Sequence, residues 1–254
     1  MPTTSVELKG RVAVLRLTRP AKRNALDDAT IGALESFFTA PPEGVRAVVL
    51  DAEGDHFCAG LDLTEMTERS TWEAVAHSQM WHRAFARIED GSVPVVAVLR
   101  GAVIGGGLEL AASAHLRVAE PSAFYALPEG QRGLFVGGGG SVRVPRLIGA
   151  HRMADLMLTG RVYDAAEGQA AGLSHYLVDE GAGLARALEL AERIARNAPL
   201  SNFAVLRALP RIAAAAPDQG YLMESLMSAI AAGSDEAKAR LHAFLEGRAG
   251  KVGR

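Results

Sequence analysis

Val93-Pro-Val-Val-Ala-Val-Leu-Arg-Gly-Ala-Val-Ile-Gly-Gly-Gly-Leu-Glu109 is the stretch on which the reading of this chain turns. An apolar, β-branched run ends at Gly101, the consecutive glycines Gly105, Gly106 and Gly107 follow, and Leu108-Glu-Leu-Ala-Ala-Ser-Ala114 then favours helix. The order is strand, glycine turn, helix start. Glycine lets a ligand come close to the main chain, and the first N–H groups of a helix have no partner inside it, so they are free to hold a negative oxygen. Glu109 follows the last glycine by two positions, which brings a carboxyl group within one turn of those amides. A glycine turn that only packs a helix on a sheet fits the same residues equally well.

Outward from this stretch, strands and helices alternate. Val6-Glu-Leu8 and Val12 to Leu17 flank Gly10 and predict a hairpin. After the polar loop Thr18 to Leu26, Asp27 or Asp28 caps a helix with apolar positions Ile31, Leu34, Phe37 and Phe38, which Pro41-Pro42 stops. Val45 to Leu50 reads as a buried strand, and Asp51 to Gly60 as a loop leading into Leu61 to Met66. The spacing of Trp72, Val75, Ala76, Met80 and Phe85 predicts a helix from Trp72 to Ile88. Beyond the central stretch come short strands at Leu116 to Ala119 and Ala123 to Leu127, a glycine-rich loop from Gly130 to Gly140, and a helix from Arg152 to Thr159. Asp164-Ala-Ala-Glu167 has the form of a capping box, with its helix ending at Gly172, and His175 to Val178 is a last strand. Helices alone follow: Leu184 to Asn197, Ser201 to Ala216, Tyr221 to Ala232 and Asp235 to Glu246. The expected organisation is an α/β core over residues 1–198 and a helical region over 199–254.

Composition narrows the class. The 254 residues suffice for a substantial core, and 49% hydrophobic with 22% charged residues is ordinary for a globular chain. With 27 basic against 29 acidic side chains the net charge is −2, so no basic surplus points to nucleic acid. No signal core and no apolar run of membrane-spanning length is seen, and a cytoplasmic location is the expectation. Cys58 is the single cysteine, so neither an intrachain disulfide nor a cysteine-rich zinc site can form; between Phe57 and Ala59 it reads as a packed side chain. The seven histidines contain no His-Glu-x-x-His pair. The dinucleotide pattern Gly-x-Gly-x-x-Gly, started at Gly105, meets Leu110 where its third glycine belongs, and Ser141 does not sit in Gly-x-Ser-x-Gly.

Several segments share one register with a known family. Arg19 to Leu26, His56-Phe-Cys-Ala-Gly-Leu-Asp-Leu63, Gly101 to Glu109, Leu127-Pro-Glu-Gly-Gln-Arg-Gly-Leu134, Leu147-Ile-Gly149, Leu158-Thr-Gly-Arg161 and Ala170-Ala-Gly-Leu173 together resemble the enoyl-CoA hydratase/isomerase, or crotonase, superfamily. The resemblance implies an α/β crotonase-like spiral of ββα units, with a carboxyl-terminal helical region that packs subunits into a trimer or a dimer of trimers. It implies an acyl-CoA thioester as substrate and neither a metal nor a separate cofactor, coenzyme A being part of the substrate. By motif position, the backbone amides of Leu61 and Gly106 form the hole for the thioester oxygen, and Ala59, Asp62 and Leu63 contact substrate.

Membership leaves the reaction open, because this superfamily runs several chemistries from one oxyanion hole. The hydratases it resembles carry two glutamates, matching Glu109 and Glu129. One carboxylate activates water and the other, protonated, delivers a proton to carbon, the roles assigned to Glu109 and Glu129 respectively. Isomerases of the family keep the later carboxylate and lack the earlier, and the position used by dienoyl isomerases holds Gly137. An isomerase or another acyl-CoA lyase or hydrolase is the alternative within the family; a non-catalytic acyl-CoA binder is the alternative outside enzymology. Two departures bear on the acyl pocket: the aromatic before Pro128-Glu129 is Tyr125 or Phe124, and Val136 replaces a proline.

Overall fold

The computed structural model describes residues 2–65 and 68–248, so Met66 and residues 249–254 of the expected segments lie outside the described residues. The chain divides into two compact units, Met1–Ala195 and Arg196–Arg254.

In the first unit, β1 (Thr4–Lys9) and β2 (Val12–Leu17) form the expected antiparallel hairpin. Parallel strands extend it through β3 (Ala47–Ala52), β4 (Val95–Leu99), β6 (Leu116–Ala119) and β8 (Tyr176–Leu177) into a six-stranded sheet of order β1-β2-β3-β4-β6-β8. A parallel sheet covered on both faces needs apolar residues at every position, and β3 and β4 are buried throughout. On one face Leu15, Leu50, Ala97 and Leu99 pack under α1 (Asp28–Thr39), α2 (Thr71–Glu89) and α3 (Gly106–Ser113). On the other, Val14, Val49, Val96 and Val98 meet Ala187, Leu190 and Ala191 of α7 (Gly183–Ala195).

A second layer arises because the chain leaves the large sheet at Gly101, whose φ is +51°, and adds a short strand before each helix. β5 (Ala102–Ile104) pairs in parallel with β7 (Phe124–Ala126), with Val103 opposite Tyr125. Bridges Cys58–Val103 and Tyr125–Tyr163 continue that line to both sides. Thus β4-β5-α3 and β6-β7-α4, with α4 at Gly140–Ile148, are successive ββα turns of a spiral. Two of these elements depart from the sequence reading. Ala102–Ile104 is a strand rather than part of the glycine turn, and a helix starts at Gly140, the last residue of the expected loop, in a stretch before Arg152 to which the sequence reading assigns no element. After α4 come α5 (Ala150–Thr159) and α6 (Ala165–Ala171). Asp164 accepts the Glu167 N–H while Glu167 reaches back to Asp164, the reciprocal cap that the sequence predicts, and Gly172 ends α6 at φ +102°.

In α2, length agrees with expectation, but the face does not. Trp72 is 76% exposed and Val75 is exposed as well, while Trp81, Ala84, Phe85 and Ile88 are buried. The second unit is helical, with α8 (Pro199–Phe203), a π-turn at Ala204–Ala208, α9 (Leu209–Ala214), α10 (Pro217–Gly233) and α11 (Asp235–Leu245). Among the described residues no helix is long and apolar enough to cross a membrane.

One buried side chain ties the loops over the large sheet together. Asn24, in the left-handed region at φ +55°, accepts the Arg19 N–H and donates to the carbonyls of Glu53 and His56. Asparagine tolerates that conformation and supplies all three bonds, whereas alanine would leave the buried partners unsatisfied. Asn24→Ala is expected to lower stability by about 2–4 kcal/mol, read as a drop in urea midpoint at constant m; a change within about 0.5 kcal/mol would show that these bonds do not hold the loops.

Candidate active site

Two loops meet edge to edge beneath α2. In the first, successive amides have separate fates: Ala59 N–H donates to Arg23 O at 2.9 Å, Gly60 N–H to Cys58 Sγ at 3.4 Å, and Asp62 N–H to Leu26 O at 2.8 Å. The Leu61 N–H finds no acceptor among the described residues. In the second loop Gly105 N–H donates to Ala126 O at 2.9 Å, and Gly106, first residue of α3, has none either among the described residues. The two free amides are neighbours, for a Cβ placed on Gly106 would lie 3.5 Å from Leu61 N. A Cβ on Gly60 would lie 2.8 Å from Ile104 O, and one on Gly107 would strike Cys58 O. The approach therefore requires glycine on both sides.

Leu61, Gly106, Glu109 and Glu129 line one cavity of about 650 Å³, together with Ala59 and Leu63. Asp62, next in the chain after Leu61, is not among the residues that line it. Its carboxylate is buried against Arg19 at 2.7 Å and accepts from both the Thr64 hydroxyl and N–H. The Thr64 hydroxyl, then the Arg19 guanidinium, hold Asp62 far below the ordinary carboxylate range. Its work is to brace the loop that presents Leu61. Cys58 is buried, and burial pushes its thiol up to about 12, in keeping with a packed side chain.

Glu109 is only 3% exposed. Its Oε1 accepts the N–H groups of Gly138 at 2.8 Å and Gly140 at 2.7 Å. Burial raises its pKa first of all; those two donors oppose the rise, and the charge of Glu129 adds to it. Glu129 stands where β7 and Pro128 deliver the chain back to the cavity, its Oε1 2.6 Å from the place a Gly105 Cβ would take. Its Oε2 is buried and has no partner among the described residues, and burial raises its pKa too. Two carboxyl groups whose pKa is raised by burial thus line the same cavity as two open amides.

Sequence reasoning passed over the support of Glu109. A Cβ on Gly138 would press on Phe85, Trp81 and Glu109 at 3.0–3.2 Å, and one on Gly140 would lie 2.7 Å from Glu109 Cγ. The run Gly137 to Gly140 is the signal, since four glycines ahead of a helix mark amides that something must reach closely. Tyr125, opposite Val103, is fully buried, and Phe124 is half-buried.

The raised pKa of Glu129 has a stability consequence. Its ordinary value is 4.5, so the unfolded chain gives up the proton first, and folded stability falls as pH rises from 4.5 through the folded pKa. Glu129→Gln removes this charge. Its melting temperature is expected to exceed that of the parent at about pH 7.5, by about 2–4 °C for each kcal/mol recovered, and the gap should close below pH 4.5. A difference that does not vary with pH would mean that Glu129 folds without cost as an anion.

A profile described as Enoyl-CoA hydratase/isomerase matches residues 7–252. The chain is 30% identical over 253 residues to Enoyl-CoA hydratase EchA19 of Mycobacterium tuberculosis, covering 98% of this chain and 95% of that protein. It is 31% identical to the short-chain-enoyl-CoA hydratase of Clostridium acetobutylicum, over 96% of this chain and 94% of that one. Among solved structures, a Rhodopseudomonas palustris protein provisionally named an enoyl-CoA hydratase superposes with a TM-score of 0.95 at 59% identity, covering 97% of this chain and 95% of that one. The enoyl-CoA hydratase of Bacillus anthracis superposes with a TM-score of 0.91 at 29% identity, over 98% of each chain. With the spiral of ββα turns and a profile spanning nearly its whole length, the chain belongs to the enoyl-CoA hydratase/isomerase family, with the crotonase-like fold, and is an enzyme of that family.

Proposed function

We propose that the enzyme adds water across the double bond of a 2-enoyl-CoA thioester. The observation that carries this reading is the convergence of two carboxyl groups with raised pKa and two open backbone amides on one cavity. Attack of water on C3 sends an electron pair to the thioester oxygen. The enolate so formed carries more charge there than the ground-state carbonyl, so the fixed N–H groups of Leu61 and Gly106 favour the transition state. Glu109, with Oε1 held by Gly138 and Gly140, keeps Oε2 for the water and takes its proton as hydroxide bonds to C3. Glu129, whose pKa burial raises so that the protonated form is favoured, supplies the proton to C2. Ala59 and Leu63 form the wall beside the thioester. Neither metal nor nucleotide enters the step, and coenzyme A arrives as part of the substrate.

Glutamine keeps the size of glutamate without its proton exchange. Glu109→Gln and Glu129→Gln should each lower kcat on a 2-enoyl-CoA by about 10²- to 10⁴-fold with little change in affinity for the thioester. Because both act on one step, the double variant should be far less than multiplicatively worse. The isomerase alternative uses Glu129 alone, so Glu109→Gln would then be nearly silent on a 3-enoyl-CoA. Near-parental hydration by Glu109→Gln would remove the two-carboxylate mechanism. Binding of thioesters without turnover of any would favour the non-catalytic binder.

The same proposal includes self-assembly through the second unit. Leu222, Leu226 and Ile230 form a helical stripe on α10, and all three are exposed, as are Leu241 and Phe244 on α11. Light scattering should give about three or six times the chain mass of 26.7 kDa. A monomeric mass at working concentration would refute assembly.

A further inference from the structure

A single peptide group joins helix α2 to Glu109. The carbonyl of Gly137 accepts the Ser78 hydroxyl at 2.6 Å, and the N–H on the other end of that same peptide, Gly138 N–H, donates to Glu109 Oε1 at 2.8 Å. A peptide is planar, so gripping its oxygen fixes the direction of its N–H. Donation to the oxygen also polarises the group and strengthens the bond that its N–H makes. The grip is built into α2: Ser78, Trp81 and Phe85 stand at i, i+3 and i+7, and Gly138 lies on the two rings while Gly137 meets the hydroxyl. On the far side Arg143 Nη1 holds the Gly138 carbonyl at 2.9 Å, its own charge being spent on Glu89 at 2.6 Å.

We infer that Ser78 is a positioning residue for the reaction, setting through the Gly137–Gly138 peptide the geometry and basicity of Glu109. The inference rests on the hydratase reading of Glu109. Ser78 lines the same cavity as Glu109, so the tether spans the site from the helix above to the carboxyl below. Its function differs from packing: removing the hydroxyl leaves the Trp81 and Phe85 contacts in place but frees the peptide to tilt. A weaker N–H donor holds the carboxylate less well, and the neutral acid is favoured. The charged groups facing Glu109 are Glu129 across the cavity and Arg143 on α4. His82, one turn along α2, also stands against Gly137 and has its pKa lowered by burial and by Arg143.

The test compares the parent, Ser78→Ala and Ser78→Thr, each repeated on a His82→Gln background so that no imidazole titrates beside Gly137. Hydration of a 2-enoyl-CoA is followed across pH, and the Glu109 carboxyl is titrated by ¹³C NMR. Ser78→Ala is expected to lower kcat by about 10- to 100-fold with KM within about two-fold, and to move the acid limb of kcat to higher pH by about 0.5–1 unit. Ser78→Thr, which keeps the hydroxyl, should restore both. An unchanged acid limb and an unchanged Glu109 titration in Ser78→Ala would overturn the inference, as would a kcat loss that Ser78→Thr shares in full. If the parent itself hydrates no enoyl-CoA, the hydratase reading fails; the NMR titration still decides the tether, since a raised Glu109 pKa in Ser78→Ala alone would support it and an unmoved one would overturn it.

Discussion

The site depends on a backbone contact that no side chain could survive. Cys58 to Gly60 and Ile104 to Gly107 run so close that Cβ atoms on Gly60 and Gly107 would overlap main-chain oxygens. Cys58 N–H and Ile104 N–H pair across this seam with Ala102 O and Cys58 O. The loops are therefore held by one another as well as by the sheet. The amides of Leu61 and Gly106, unpaired among the described residues, are fixed side by side. In the proposed hydration such donors need no reorganisation when charge develops, which is where most of their value would lie.

That arrangement is expensive for the chain, and the expense explains the neighbouring residues. Amides left open, a carboxyl group buried at Glu109 and another at Glu129 all cost folding free energy. Offsetting it are sheet faces buried on both sides and loop ties such as Asn24. The loop over Glu109 contributes little apolar area, so it is fastened by polar contacts from two helices, Ser78 of α2 and Arg143 of α4.

The sequence carried the skeleton of this design because its signals are local. Gly10 between alternating strands, Asp27 ahead of an apolar stripe and the reciprocal Asp164–Glu167 cap each act within a few residues, and each forms as expected. The glycine triplet likewise announces a close approach, although not what approaches. Readings failed where the partner is distant. Ala102–Ile104 is too short for its alternation to register, and is a strand only because β7 lies beside it. Helix α4 is masked by four glycines and by Pro145, yet those glycines exist for Glu109, which is 28 or more positions earlier in the chain. On α2, apolar spacing indicates a buried face through Trp72 and Val75. Val75 instead lines the cavity together with Leu63, Leu134 and Phe135, all exposed. A binding rim and a core produce the same pattern, and periodicity alone does not separate them.

Asp62 and Glu109 show how one chain assigns opposite tasks to buried carboxylates. Both are nearly inaccessible, yet Asp62 is held far below the usual range and Glu109 above it. The difference lies in the donors. Asp62 meets a guanidinium and a hydroxyl, which stabilise the anion so strongly that it cannot usefully take a proton. Glu109 meets two neutral peptide N–H groups, and the cation nearest to it, Arg143, has its Nε committed to Glu89 and its Nη1 to the Gly138 carbonyl. Neutral donors hold the carboxylate in place while leaving its basicity to be set by burial and by the charge of Glu129. A direct ion pair with Arg143 would fix Glu109 as firmly and lower its pKa, turning a base into a brace. The glycine run serves this distinction: it brings amides, rather than a charged side chain, to the carboxyl group that the proposed reaction needs to be both fixed and basic.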